Sequence, residues 1–130
     1  CLENESRIYE ITSIIMENIE SDYAVFKVGN QQRFSYLPIA KEDPRQGQEI
    51  IVYGHPRGLE CTLTTGTISA VRTDNEKNDE IQIEAPISPG SSGSPVVNQR
   101  GEVIGIATKK RTDNCESCNF AYNIRLIPFE

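Results

Sequence analysis

The 130-residue sequence has no apolar stretch long enough to span a bilayer, no basic stripe, a single histidine, and no second CxxC to match the one in "NCESC". Each shortage removes a class of function. A membrane-spanning helix needs about 20 mostly apolar residues in a row. Nineteen acidic residues against thirteen basic ones give a formal charge of −6, which repels phosphate backbones and anionic lipid alike. Neither nucleic acid nor membrane is an expected partner. The opening "CLENESRIYEITS" lacks the charged start and apolar run of a secretory signal, so a signal is either never present or already removed. Cys115 and Cys118 can form a local disulfide, half of a metal site, or two loop thiols. A four-ligand zinc site would also need Cys61, Cys1 or His55 close by.

What remains is an ordinary globular composition, with 37% hydrophobic and 25% charged residues. A chain of this length buries roughly two-thirds of its unfolded surface. Strand signals run along nearly all of it. "RIYEITSIIMENI" is rich in isoleucine, tyrosine and threonine and reads as extended. "DYAVFKV" is bounded by Asp22 and Gly29-Asn30; "GQEIIVYG" ends at Gly54 and Pro56; "CTLTTGTISAVRT" carries Gly66 in its middle, where a bulge or sharp bend is the usual cause. "DEIQIEA" alternates cleanly, "SPVVN" and "EVIGIAT" flank the turn "QRG", and "NFAYNIRLI" supplies a last strand. Eight or nine short strands without a long helix or an internal repeat predict an all-β antiparallel barrel or sandwich.

Between two of these strands lies "PGSSGSPVV", residues 89–97, with three serines among Gly90, Gly93 and Pro95. The two glycines open backbone angles closed to other residues. The N–H groups around Ser92 can then turn inward beside a hydroxyl and form an oxyanion hole, worth ~10²–10³ in rate per donor. A Gly/Ser-rich turn that merely connects strands is the competing reading of the same composition.

The longer string "PGSSGSPVVNQRGEVIGIAT" resembles the nucleophile loop of the chymotrypsin-fold serine proteases, whose pattern is Gly, any residue, Ser, Gly, Gly or Ser, Pro. It is most similar to the HtrA-type and glutamyl-endopeptidase branches. "SDYAVFKV", "VYGHPRGLECTLTTGTISAV" and "NFAYNI" also resemble family segments, in the family's order. The resemblance implies a chymotrypsin-like double barrel, with residues 1–45 the end of a partial first barrel and 46–130 a complete second one. It implies Ser92 as nucleophile, Asp22 as the acid orienting the base, and the N–H groups of Gly90 and Ser92 as oxyanion hole. A serine hydroxyl attacks poorly until an imidazole takes its proton, and a carboxylate holds that imidazole in the right tautomer. Neither a metal nor a cofactor is needed.

The implied order is His, Asp, Ser, and residues 1–21 contain no histidine. His55 aligns with a turn position ahead of Pro56. Asp22, His55 and Ser92 do follow the chain order of the subtilisin triad, but Pro95 and Val96-Val97 turn the chain into a strand where that fold starts a helix. Two readings stay open: a carboxy-terminal portion of a longer protease acting on polypeptides, or a homologue without its base that works as a peptide-binding module. By resemblance the substrate pocket draws on Ile87, Ser91, Ala107, Thr108 and Lys109. With Pro86 at its base and no acid there, a small or medium apolar side chain is the expected preference. Lys109, Lys110 and Arg111 read as a solvated loop, and an extracytoplasmic or secreted placement is favoured by the resemblance alone.

Overall fold

The computed structural model describes residues 9–19, 21–29, 34–54, 62–74, 78–87, 90–108 and 119–128. The chain divides into two units, residues 1–36 and 37–130. In the first, β1 (Ile11–Asn18) and β2 (Tyr23–Val28) pair antiparallel as a hairpin with two register shifts. Its turn is fixed by Asn18, whose Oδ1 accepts from the Ser21 N–H at 2.9 Å. Asp22 follows with a φ of 55°, a left-handed conformation that aspartate tolerates better than most residues. The edge of the Tyr9 ring meets Phe34 with centroids 5.0 Å apart.

The second unit is a closed barrel. Its strands are β3 (Glu49–Gly54), β4 (Thr62–Asp74), β5 (Asn78–Glu84), β6 (Pro95–Val97), β7 (Val103–Ala107) and β8 (Asn119–Asn123), joined all antiparallel in the order β3-β4-β5-β8-β7-β6. Closure leaves no free sheet edge in the barrel. Alternation decides what fills it: Ile50 and Val52 of β3 and Ile81 and Ile83 of β5 point inward and are buried, and the residues between them are not. Ala40, Ile68, Ala85, Val96, Ile104, Ala107 and Ala121 complete the same cluster. Fully burying an isoleucine contributes on the order of 2–3 kcal/mol, so the six large side chains under 2% exposed dominate the barrel's stability.

Residues 37–40 lie beside β7 as a short extension. The Val103 N–H donates to Pro38 O at 2.8 Å and the Ala40 N–H to Val103 O at 2.9 Å, around a single parallel bridge at Ile39.

Two local expectations are corrected. The register shift in the β4–β5 pair falls between Ile68 and Ala70, whereas Gly66 pairs with Ile50 of β3 and lies against Glu84 and Ala85. A β-carbon built on Gly66 would lie 2.0 Å from Glu84 O and 2.7 Å from Ala85 Cβ, so the residue is glycine for lack of space. The last strand stops at Asn123, short of the "IRLI" expected to continue it. Asn123 Oδ1 accepts from the Arg125 N–H at 3.1 Å, which turns Ile124–Leu126 into one turn of 3-10 helix.

Candidate active site

The serine cluster forms the connection from the end of β5 to β6, inside the barrel unit. Gly90 and Gly93 take φ values of 97° and 90°, angles open to glycine and strained for other residues. Between them the chain reverses: the Ser94 N–H donates to Ser91 O at 3.0 Å, closing a four-residue turn with Ser92 at its tip. Ser92 is exposed, while Ser91 and Ser94 on either side are buried.

Two bonds to β7 hold that turn to the barrel. The Gly93 N–H donates to Ala107 O at 2.8 Å and the Ala107 N–H to Ser94 O at 2.9 Å. Pro95 then enters β6 opposite Ile106. The amides of Gly93 and Ser94 are thus spent on structure. Those of Gly90 and Ser92 have no backbone acceptor among the described residues. An exposed serine beside amides that have no backbone acceptor among the described residues, on a turn fixed by a closed barrel, is an arrangement able to take a carbonyl group and stabilise charge on its oxygen.

The other expected site residues fall as follows. Ile87 is half-buried and packs against the barrel core, and Ala107 is a core residue whose backbone anchors the serine turn. Thr108 continues beyond β7, its N–H donating to Phe120 O at 2.9 Å and its hydroxyl reaching the same oxygen at 3.4 Å. Asp22 is exposed at the start of β2, in the other unit. His55, Lys109, Lys110, Arg111 and all four cysteines lie outside the described residues.

Two contributors carried no legible signal in the sequence. Asn119, at the head of β8, donates from Nδ2 to Ala85 O at 2.7 Å and so ties β8 to the segment leading into the serine loop. Gly54, which reads in the sequence as the end of a strand, lies directly against Ser94. A polar groove of about 340 Å³ lies at the other end of β6, between residues 40–48 and 98–102. Two of its three acids are engaged, Asp43 with Arg125 and Glu102 with Asn98, and its lining holds no hydroxyl or thiol.

The closed all-β barrel, with its serine on a glycine-framed turn, has the architecture of the chymotrypsin-like fold. The trypsin-like peptidase domain family matches residues 3–106, and the chain belongs to that family. It is 35% identical over 99 residues to a Rhizobium meliloti protein named "Probable periplasmic serine endoprotease DegP-like", covering 73% of this chain and 20% of that protein. It is 36% identical over 107 residues to the serine protease HTRA1 of Xenopus tropicalis, covering 76% of this chain and 23% of the relative. The chain thus spans about a fifth to a quarter of these relatives' length. The crystal structure of the serine endoprotease from Yersinia pestis superposes with a TM-score of 0.77 at 30% identity, over 92% of this chain and 42% of that one.

Proposed function

We propose that the chain is part of a serine endopeptidase that cleaves polypeptides through an acyl-enzyme on Ser92. The observation that carries this reading is the presentation of Ser92: exposed at the tip of a turn whose neighbouring serines are buried and whose Gly93 and Ser94 amides are pinned. Ser92 Oγ attacks the scissile carbonyl, an imidazole takes its proton, and the N–H groups of Gly90 and Ser92 receive the oxyanion. Asp22 orients that imidazole, which residues 1–21 do not provide. Without the base, turnover falls on the order of a millionfold, so these 130 residues by themselves turn over slowly.

In this reading residues 1–45 end a first barrel and 46–130 form the second. Ile87, Ser91, Ala107, Thr108 and Lys109 border the substrate pocket, which takes a small or medium apolar side chain. Relatives named as periplasmic support an extracytoplasmic placement.

The test is to treat the longest natural form with a fluorophosphonate and map the adduct. Labelling at Ser92 that disappears in Ser92→Ala supports the peptidase. A form that contains a histidine upstream of Asp22 and remains unlabelled refutes it and leaves the second reading, a peptide-binding module.

A further inference from the structure

The floor under the serine turn is the end of β3. The register that pairs Ile51 with Val97 and Val52 with Val96 carries on to set Gly54 opposite Ser94. Gly54 is buried, and a β-carbon built on it would stand 2.1 Å from Ser94 Oγ, 3.1 Å from Ser94 Cβ and 3.9 Å from Ser91 Cα. The Ser94 side chain therefore occupies the volume that any side chain at position 54 would take. Ser94 has little room to yield. It is 7% exposed, and its N–H and C=O are both bonded, to Ser91 O and to the Ala107 N–H.

We infer that Gly54 and Ser94 are a size-matched positioning pair that sets the height of the 91–94 turn and hence the place of the Ser92 hydroxyl. A side chain at 54 drives Ser94 Oγ from its rotamer and still meets Ser94 Cβ at 3.1 Å, so Ser94 must give by a few tenths of an ångström; because its backbone is bonded on both sides, that displacement passes to the turn its bond to Ser91 closes. Ser92 and its amide move with it. The glycine at 54 and the hydroxymethyl at 94 are each permitted by the other. What the displaced hydroxyl ceases to do rests on the peptidase reading; the pairing itself does not.

Three variants test this: Gly54→Ala, Ser94→Gly and the double change. The ¹H–¹⁵N spectrum of the longest natural form follows the amides of residues 91–94. The fluorophosphonate labelling rate of Ser92, per folded molecule of the longest natural form, follows the hydroxyl. Gly54→Ala is expected to move those amides and slow labelling ~10²-fold, the scale of an ångström-sized misplacement. Adding Ser94→Gly is expected to return the amides and bring labelling back to within about tenfold, a coupling that independent sites do not show. Should Gly54→Ala fail to fold, a double variant that folds with native-like amides supports the pair, and one that also fails overturns it. Unmoved amides in Gly54→Ala, or a double variant no better than the single one, overturn it as well. A wild-type form that contains a histidine upstream of Asp22 and resists labelling refutes the peptidase reading, and the pair is then judged on the spectra.

Discussion

Gly66→Ala tests the barrel frame on which the site stands. The new methyl would have to occupy a point 2.0 Å from Glu84 O and 2.7 Å from Ala85 Cβ, where ordinary contact begins at 3.4 Å. A gap of 1.4 Å must open between β4 and β5, as the difference between 3.4 and 2.0 Å, and the obstructing carbonyl belongs to a strand in a closed barrel. No flexible side chain can swing aside to provide it. Strands pair at about 4.8 Å, so a shift of that size breaks ladder bonds around Thr67 and Glu84. The loss is placed at the upper end of overpacking or beyond it, about 3 kcal/mol or more, out of a total of roughly 5–15 kcal/mol. Gly93→Ala is the internal control. A β-carbon there meets nothing within 4 Å, and only the φ of +90° resists it, which costs about 1–2 kcal/mol. Urea unfolding followed by far-ultraviolet circular dichroism measures both, with the slope expected to be unchanged. A Gly66→Ala protein as stable as wild type, or more stable than Gly93→Ala, would refute the close-approach explanation.

The remaining predictions concern the far end of the barrel. Asn98 holds the β6–β7 turn through bonds from the Arg100 and Glu102 N–H groups to its Oδ1 and from its own Nδ2 to Glu102. At about 1 kcal/mol net for each bond, Asn98→Ala is expected to lose about 2–3 kcal/mol in the same urea assay. The Arg125–Asp43 ion pair has its acid 82% exposed. Asp43→Asn is therefore expected to change stability by less than about 1 kcal/mol, and by still less at 1 M salt, where surface pairs are screened.

The strands were legible wherever one face alone is buried. In "DEIQIEA" the period of two puts Ile81 and Ile83 into the core and leaves Gln82 between them, and no other local structure satisfies that pattern. The serine turn was legible for a different reason: two glycines at positive φ are a backbone requirement that local sequence states directly. Gly66 and Gly54 look the same in sequence as those turn glycines, yet they answer to backbone or side chains that arrive from residues 84 and 94. Nothing within their own neighbourhoods encodes that. Asn119 is illegible in the same way, since its partner carbonyl lies 34 positions away. The end of β8 was missed because Asn123 serves first as a buried strand residue and then, through its amide, as the cap of the turn that follows.

The presentation of Ser92 is therefore a property of the barrel more than of its loop. Local sequence supplies the reversal, through Gly90 and Gly93, but a short glycine-framed turn by itself samples many conformations. What selects one of them comes from two strands: Ala107 of β7 clamps the turn from both sides with its N–H and C=O, and Gly54 of β3 lets Ser94 settle against the sheet. Both strands flank β6, the strand that the turn leads into. Closure ties β3 to β7 around that strand, so the anchors cannot drift apart without opening ladder bonds elsewhere. A substitution that loosens the ring is thus expected to act on Ser92 in proportion to how far it moves β3 or β7, even where it lies far from the serine in sequence.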